Sequence, residues 1–258
     1  MASWRTEDLD GSGEGAFAGR RAIVTGAGRG IGRAVARHLL DRGAMVCAVD
    51  RDTRLLEQWQ DARAVLVTED LSVTSSARHV VEVAVRELGG VDFLVHAAGV
   101  LKRTPFLDVD EQDWELHIRT NLRSTFFLAQ ECARVMRLQD TGGRIVAVAS
   151  DAWWTGGYDG SLAYAASKGG VVSLVRGIAR ELAPVRITVN AVAPGLVDTE
   201  MLRGQLTPEG LARQADRIPW RRLAEPAEIA GVIGFVLSDA AEYMTGSVFN
   251  VSGGLLTY

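Results

Sequence analysis

The chain has 258 residues, a formal net charge of −4 at pH 7 and 47% hydrophobic residues. This length suits one α/β domain with a large core, and scattered arginines on a mildly acidic chain argue against nucleic acid or an anionic membrane surface as a partner. The two cysteines, Cys47 and Cys132, provide neither a disulfide framework nor a metal-ligand cluster, so they indicate buried thiols, no metal site and a cytoplasmic location. No run of about eighteen apolar residues occurs, which argues against a membrane span.

Residues 1–18 are rich in glycine, serine and acidic residues and contain no apolar core of signal-peptide length. They predict a flexible leader, in which Phe17 is the first residue expected to pack. Residues 19–258 are predicted to form a single domain.

The first β-type run, residues 22–25, ends in the glycine-rich sequence GAGRGIG at residues 26–32, and a helical pattern follows it. Glycines let a backbone turn tightly and approach a pyrophosphate, and a helix N-terminus presents unpaired N–H groups to an anion. We therefore expect a phosphate-binding loop here. The alternative is a purely structural turn.

Asp50 ends a second buried run, residues 44–49, and follows Gly32 by 18 residues. A carboxylate about 20 residues beyond such a loop binds the adenosine ribose 2′-hydroxyl and repels a 2′-phosphate. Arg29 and Arg51 act against this preference, since either can hold a phosphate. The pattern favours NAD over NADP, and the alternative is that Asp50 is only a turn residue.

Apolar β-type runs continue to alternate with helical patterns at residues 64–67, 91–95, 144–149, 186–192 and 248–251. This alternation predicts a Rossmann-type, doubly wound parallel sheet of about seven strands with helices on both faces. Ligands of such sheets bind at the carboxyl ends of the strands, where the glycine-rich loop and Asp50 both fall.

Two polar residues interrupt apolar patterns downstream. Residues 110–138 predict one long helix with Asn121 in its middle, where the amide is either satisfied in the core or a placed functional group. Ser150 ends the fifth strand, where its hydroxyl is expected to donate a hydrogen bond to a carbonyl oxygen.

Tyr164 and Lys168 lie one turn apart in the next helical pattern. Of the 28 basic residues only Lys102 and Lys168 are lysines, and a lysine offers a compact charge that arginine does not. An ammonium beside a phenol favours the phenolate, so we expect a lowered Tyr164 pKa and a group that can donate and accept a proton. On spacing alone, the alternative is a half-buried tyrosine and a solvated lysine.

Residues 201–220 look polar and irregular, and they predict a mobile substrate lid spanning residues 196–222. Trp153, Trp154 and Tyr158, with Met201, Leu202 and Trp220 in the lid, indicate either an aromatic pocket for a bulky apolar or cyclic substrate or contacts between subunits.

Taken together, these motifs resemble the short-chain dehydrogenase/reductase family over residues 19–254. The resemblance rests on TGAGRGIG at residues 25–32, Asn121, Ser150 with YAASK at residues 164–168, and Pro194-Gly195. It implies a dinucleotide-binding catalytic domain that transfers a hydride between NAD(P) and a secondary alcohol or ketone, in a homo-oligomer that is a dimer or a tetramer.

The resemblance also implies individual roles. Tyr164 would donate or accept the proton, and Ser150 would orient the substrate oxygen. Lys168 would hold the nicotinamide ribose and lower the pKa of Tyr164, while Asn121 would anchor a water that relays protons. The residues expected to contact the cofactor are Gly26, Arg29, Gly30, Ile31, Gly32, Asp50, Asp70, Leu71, His96, Ala98, Gly99, Tyr164, Lys168, Pro194, Gly195, Val197 and Thr199.

The sequence departs from the family pattern at His96, which we expect to be a hydrogen-bonded structural residue, and at Ser252, which stands in place of an aspartate. The interval from Ser150 to Tyr164 is one residue longer than expected and predicts a slightly altered loop. Two alternative functions are open at this stage. One is an NADPH-dependent 3-oxoacyl carrier-protein reductase, and the other is a non-catalytic dinucleotide-binding sensor or scaffold.

Overall fold

The computed structural model describes residue 13, residues 15–139 and residues 141–257. Residues 1–12 and 14 of the predicted leader lie outside the described residues. Phe17 is 2% exposed and packs edge-on against Phe93, with the ring centroids 5.6 Å apart. The expectation that Phe17 is packed is therefore confirmed.

Seven parallel strands form one sheet in the order β3-β2-β1-β4-β5-β6-β7, which confirms the predicted fold class. The strands are β1 Arg21–Thr25, β2 Met45–Asp50, β3 Ala64–Thr68, β4 Phe93–His96, β5 Gly143–Val148, β6 Ile187–Pro194 and β7 Val248–Val251. The strand order reverses between β1 and β4, where Thr25 pairs with His96. A ligand crevice forms at such a switch point.

Ten α-helices occur among the described residues. They are α1 Gly30–Asp41, α2 Thr53–Leu56, α3 Thr74–Leu88, α4 Glu111–His117, α5 Ser124–Met136, α6 Ala152–Thr155, α7 Leu162–Leu182, α8 Glu200–Arg203, α9 Pro208–Arg217 and α10 Pro226–Leu237. In the described part of the chain, none of them is long and apolar enough to cross a membrane.

The central strands bury both faces because their apolar residues alternate between two core clusters. Ile23 belongs to the cluster formed with α3, α5 and α7, whereas Val24 belongs to the cluster formed with α1 and α10. This is the period of two that strands impose on their side chains. The free thiols of Cys47 and Cys132 are both buried in the first cluster.

The helix expected at residues 110–138 is helical throughout residues 111–136, but its α-helical hydrogen bonding is interrupted in the middle, which the sequence did not predict. A π-helical turn, Ile118–Arg123, separates α4 from α5. The Ser124 hydroxyl donates to the Thr120 carbonyl and the Thr125 hydroxyl donates to the Asn121 carbonyl, both at 2.6 Å. These side-chain bonds satisfy carbonyls in the widened turn, which places Asn121 in a buried position.

The region expected to be irregular, residues 201–220, is also more ordered than predicted. It contains α8 and α9, whose N-termini are capped by the hydroxyls of Thr199 and Thr207. Thr207 followed by Pro208 at the first helical position is a helix-start signal that the polar composition concealed.

Candidate active site

A cleft opens at the carboxyl ends of the central strands. It is lined by segments that follow β4, β5 and β6, together with the start of α1, the first two turns of α7, and α8. Of the residues expected from the sequence, those that line it are Ile31, Gly99, Ser150, Tyr164, Lys168, Pro194, Gly195, Val197 and Thr199. The cleft therefore brings together residues that are far apart in sequence.

The glycine-rich loop forms an anion cradle at the start of α1. Gly26 has a φ of +66°, and a Cβ at Gly32 would lie 2.2 Å from the Gly26 carbonyl oxygen, so neither position accepts another residue without movement. The first turn of α1 contains no acidic residue, and the side chain of its N-cap, Arg29, makes no capping bond. Its N–H groups are therefore suited to a pyrophosphate, and this loop fits a dinucleotide.

Asp50 lies against this loop. One carboxylate oxygen accepts from the Gly28 N–H at 3.0 Å and the other accepts from the Asp52 N–H at 3.1 Å. Arg29 and Arg51, the two residues that oppose an NAD preference, are both exposed. The end of β2 thus presents a carboxylate held by two backbone N–H groups, with two exposed arginines near it in sequence.

Asp70 and Leu71, expected on the adenine side, follow β3. The Asp70 carboxylate accepts from the Ser72 N–H at 2.9 Å, and Leu71 is buried in the core. The Leu71 side chain therefore stabilises the end of this strand.

Tyr164 projects from α7 and keeps partial contact with solvent at the cleft. Its hydroxyl is hydrogen-bonded to Ser150, and the Ser150 hydroxyl in turn lies 3.0 Å from a carboxylate oxygen of Asp151. The protein packed around the phenol raises the pKa of Tyr164 to about 12, and the bond to Ser150 opposes this shift only in part. Tyr164 holds its proton at neutral pH.

Lys168 is 5% exposed, and its ammonium donates to the Val148 carbonyl at 2.6 Å. Burial lowers the pKa of Lys168 to about 8. The ammonium lies 5.7 Å from the centroid of the Tyr164 ring. The expected net lowering of the Tyr164 pKa is wrong for the protein alone, because desolvation of the phenol dominates; the role of Lys168 beside it stays a prediction.

Asn121 connects the segment after β4 to α7. Its side-chain oxygen accepts from the Val100 N–H at 2.8 Å, while its NH₂ group donates to the Val100 carbonyl at 3.1 Å and to the Ser167 hydroxyl at 2.9 Å. A Cβ at Gly99 would lie 3.2 Å from this oxygen and 3.6 Å from the Lys168 nitrogen. Both amide protons of Asn121 are used within the protein, so a water held here would have to bind an oxygen of Asn121.

His96 lies beneath the cleft, with its ring in the core at 3% exposure. Its ring nitrogens are 2.8 Å from the Thr25 hydroxyl and 2.9 Å from the Ser124 hydroxyl. Because Ser124 donates to Thr120, it accepts from His96 Nε2–H, and Thr25 then donates to Nδ1. This ring is neutral, and burial lowers the pKa of His96 to about 3. Both ring nitrogens are used within the protein, and the expected cofactor contact of His96 stays a prediction.

The aromatic residues divide between the cleft and the surface. Tyr158 lines the cleft with Met201 and Leu202, whereas Trp154 and Trp220 are 56% and 69% exposed and do not line it. The Trp153 ring is covered by Arg176, 5.5 Å from its centroid. The pocket is therefore less aromatic than expected.

Asp151 and Arg103 also line the cleft, and the sequence analysis missed both. The available signal for Asp151 was its place directly after Ser150 at a strand end. Arg103 donates to the carbonyls of Tyr158 and Asp159 at 2.9 and 3.2 Å, and so anchors the loop that the long interval predicted. Ser252, the other departure, accepts from the Leu256 N–H at 3.1 Å and closes a turn near the end of the chain.

A parallel sheet with a dinucleotide cradle at its switch point, facing a buried lysine and a tyrosine, defines a nicotinamide-dependent oxidoreductase. A family model described as Enoyl-(Acyl carrier protein) reductase matches residues 26–256. The chain is 36% identical over 242 residues to 3-oxoacyl-[acyl-carrier-protein] reductase of Escherichia coli strain K12, with 93% of this chain and 98% of that protein covered. It is also 36% identical over 247 residues to L-rhamnose 1-dehydrogenase (NAD(P)(+)) of Azotobacter vinelandii, with 92% and 96% covered.

Solved structures agree with these relatives. A short-chain dehydrogenase/reductase from Brucella melitensis, titled glucose/ribitol dehydrogenase, superposes with a TM-score of 0.88 at 34% identity, covering 94% of this chain and 98% of that one. The chain belongs to the short-chain dehydrogenase/reductase family, as its motifs predicted. It is an NAD(P)-dependent oxidoreductase that acts on CH–OH and keto groups.

Proposed function

We propose that Tyr164 is the proton donor or acceptor of this oxidoreductase, with Ser150, Lys168 and Asn121 as its partners, and that the substrate is a secondary alcohol or its ketone. The observation that carries the proposal is the cleft itself. Ser150, Tyr164 and Lys168 line it together, Ser150 is bonded to Tyr164, and the anion cradle begins at the same edge of the sheet.

The proposed cofactor contacts follow the cradle and the strand ends. The turn of residues 26–32 would hold the pyrophosphate, Asp50 the adenosine ribose, and Lys168 the nicotinamide ribose. Pro194, Gly195, Val197 and Thr199 would face the carboxamide and the phosphates. When bound, nicotinamide supplies or accepts the hydride.

The protonation states suit a reduction in which Tyr164 gives its proton to the substrate oxygen. With a pKa of about 12 the phenol is protonated at neutral pH, and with a pKa of about 8 Lys168 is mostly charged there. Ser150 holds the phenol at the cleft and hydrogen bonds to the same substrate oxygen. Asn121 fixes α7 against the chain after β4, which keeps Lys168 and Tyr164 in place.

Tyr164→Phe tests this role. We expect turnover to fall by about 10²–10⁴-fold, since only the proton-transferring hydroxyl is removed, while dinucleotide binding stays within about twofold. Tyr243→Phe is the matched control, because Tyr243 is fully exposed and its loss of a hydroxyl should leave both quantities unchanged. A Tyr164→Phe enzyme with wild-type rates would remove Tyr164 from the mechanism.

We further propose NAD as the preferred cofactor. The support is the Asp50 carboxylate, which Gly28 and Asp52 hold at the end of β2, where a 2′-phosphate would meet its charge. Rates with NADH and NADPH, measured side by side, test the proposal, and Asp50→Ser should move the preference towards NADPH. A wild-type enzyme that strongly prefers NADPH would overturn it.

A second candidate is reduction of 3-oxoacyl thioesters of a carrier protein, which the 36% identity to the Escherichia coli reductase favours. Comparing kcat/KM for a 3-oxoacyl thioester with kcat/KM for simple ketones distinguishes the two. A sensor or scaffold has no need of four chemistry-bearing residues in one place, and any turnover that depends on Tyr164 excludes it.

Three structural proposals accompany the function. Residues 19–258 act as one catalytic domain, and residues 196–222 act as a substrate lid, because Met201 and Leu202 of α8 line the cleft. The protein assembles as a homo-oligomer, since α4 and α5 expose Trp114 and Phe126, and light scattering in solution measures its mass. The buried free thiols support a cytoplasmic location.

A further inference from the structure

Asp151 is the acidic residue nearest the proposed proton-transfer pair. It follows Ser150 directly, its backbone N–H donates to the Pro194 carbonyl at 2.9 Å, and its side chain lines the cleft. Within the described part of the chain no arginine, lysine or histidine forms an ion pair with it. A partly buried carboxylate at the reaction centre is thus left with neutral donors only.

We propose that Asp151 is a specificity-determining residue, which accepts a hydrogen bond from a substrate hydroxyl on the carbon next to the reacting carbon. The proposal rests on the proposed function of Ser150 and Tyr164, and it deepens that function by naming the substrate class. The class is vicinal diols and their hydroxyketones, which includes polyols and sugars.

The distances support this placement. The carboxylate oxygen of Asp151 is 3.0 Å from the Ser150 hydroxyl oxygen. Since Ser150 would lie about 2.7 Å from the reacting oxygen, that carboxylate is at most about 6 Å from it. A hydroxyl on the neighbouring carbon spans such a gap with one hydrogen bond, whereas an apolar group there would leave the carboxylate unsatisfied.

A substrate hydroxyl bound to Asp151 would also free the Ser150 hydroxyl from its hydrogen bond to that carboxylate. In the protein alone the Ser150 hydroxyl accepts from the Ala152 N–H at 3.2 Å and donates to a carboxylate oxygen of Asp151 at 3.0 Å. A substrate hydroxyl that donates to Asp151 replaces Ser150 as the donor. The Ser150 proton can then turn to the reacting oxygen, so the neighbouring hydroxyl should raise kcat as well as lower KM.

A hydroxyl suits this position better than an ammonium. The Lys168 ammonium already lies at the cleft. A second cation beside the reacting carbon would be repelled. In the oxidation, Tyr164 would first release its own proton to solvent at the cleft and then take up the proton of the reacting hydroxyl, while a bound dinucleotide would accept the hydride; the neighbouring hydroxyl is unchanged.

The test uses matched probes that differ only at the neighbouring carbon, namely cyclohexanol, the 1,2-cyclohexanediols and 2-aminocyclohexanol, each with NAD and with NADP. We expect the better diol to exceed cyclohexanol in kcat/KM by about tenfold or more, as a hydrogen bond to a charged group predicts. In Asp151→Ala this ratio should fall to within about threefold of unity. Asp151→Asn, which keeps a neutral acceptor, should give an intermediate ratio.

Asp159→Asn is the control, because Asp159 is an exposed carboxylate on the same cleft and asparagine tolerates its φ of 50°. It should keep the wild-type ratio. A purely structural role for Asp151 would slow both alcohols equally and leave the ratio unchanged, which would overturn the inference. A wild-type ratio near one, or a preference for the amino alcohol, would overturn it while the proposed function stands. Absence of turnover with every probe would overturn both.

Discussion

Lys168→Met should stabilise the protein at neutral pH, because Lys168 is buried with only a carbonyl as its bonded partner. Burial lowers its pKa from 10.5 to about 8. At about 1.4 kcal/mol per pKa unit, keeping this ammonium in the folded protein costs about 3 kcal/mol. Losing the hydrogen bond to the Val148 carbonyl costs the variant about 1 kcal/mol, so we expect Lys168→Met to be about 2 kcal/mol more stable than the wild-type protein at pH 7.

The pH dependence identifies the cause. Below pH 8 the lysine is protonated in both the folded and the unfolded chain, and the full cost is present. Between pH 8 and 10.5 the unfolded chain keeps the proton that the folded chain has released, so the wild-type protein gains stability relative to the variant as the pH rises. The advantage of Lys168→Met should therefore shrink by about 3 kcal/mol over this window.

Urea unfolding of both proteins at several pH values measures this difference. Lys102→Met is the matched control, since the bond to Asp113 raises the pKa of the only other lysine. Lys102 therefore contributes stability that is present below pH 10.5 and is lost above it, which is the opposite sign. A difference between wild type and Lys168→Met that did not change with pH would refute the assigned burial cost.

Three further results are expected. Gly32→Ala should lose several kcal/mol of stability in thermal melts and most dinucleotide binding in titrations, because its Cβ would lie 2.2 Å from a backbone oxygen. Gly177→Ala is the control: a Cβ at Gly177 would have no atom within 4 Å, so this variant should be neutral or slightly stabilising. His96→Asn should reduce the loss of unfolding free energy on acidification. The pKa of the wild-type ring is lowered from 6.5 to about 3, so the wild type loses up to about 1.4 kcal/mol of stability for each pH unit below 6.5. The same dependence of unfolding free energy on pH in both proteins would contradict the buried neutral ring. Asp92→Asn should cost about 3 kcal/mol in urea unfolding, since Asp92 is 5% exposed and accepts from Arg21 at 2.7 to 2.9 Å; a loss below about 1 kcal/mol would argue against a strong buried pair.

The fold was predictable because two local signals agree along the chain. The central strands are apolar runs that bury both faces, as Ile23 and Val24 illustrate, and a helical pattern follows each strand before β7. The glycine-rich loop fixed the switch point as well, since the requirement for glycine at residue 32 is a backbone constraint and is visible in the sequence.

The missed features depend on tertiary contacts. The π turn at Asn121 needs hydroxyls at Ser124 and Thr125 that bond backward along the helix, and nothing in the apolar period reveals this. The pKa of Tyr164 depends on how many protein atoms surround the phenol, which the spacing to Lys168 does not encode. Sequence reasoning identified the charge beside the phenol but had no measure of desolvation.

The two lysines differ in both exposure and basicity. Lys102 is half-exposed on its side chain and is held charged by Asp113, whereas Lys168 is enclosed and releases its proton near pH 8. Mildly alkaline solution therefore makes Lys168 the better nucleophile but lets an acylating reagent reach it only through the cleft. The extent of its modification, with Lys102 as an internal reference, reports directly on how far the cleft opens.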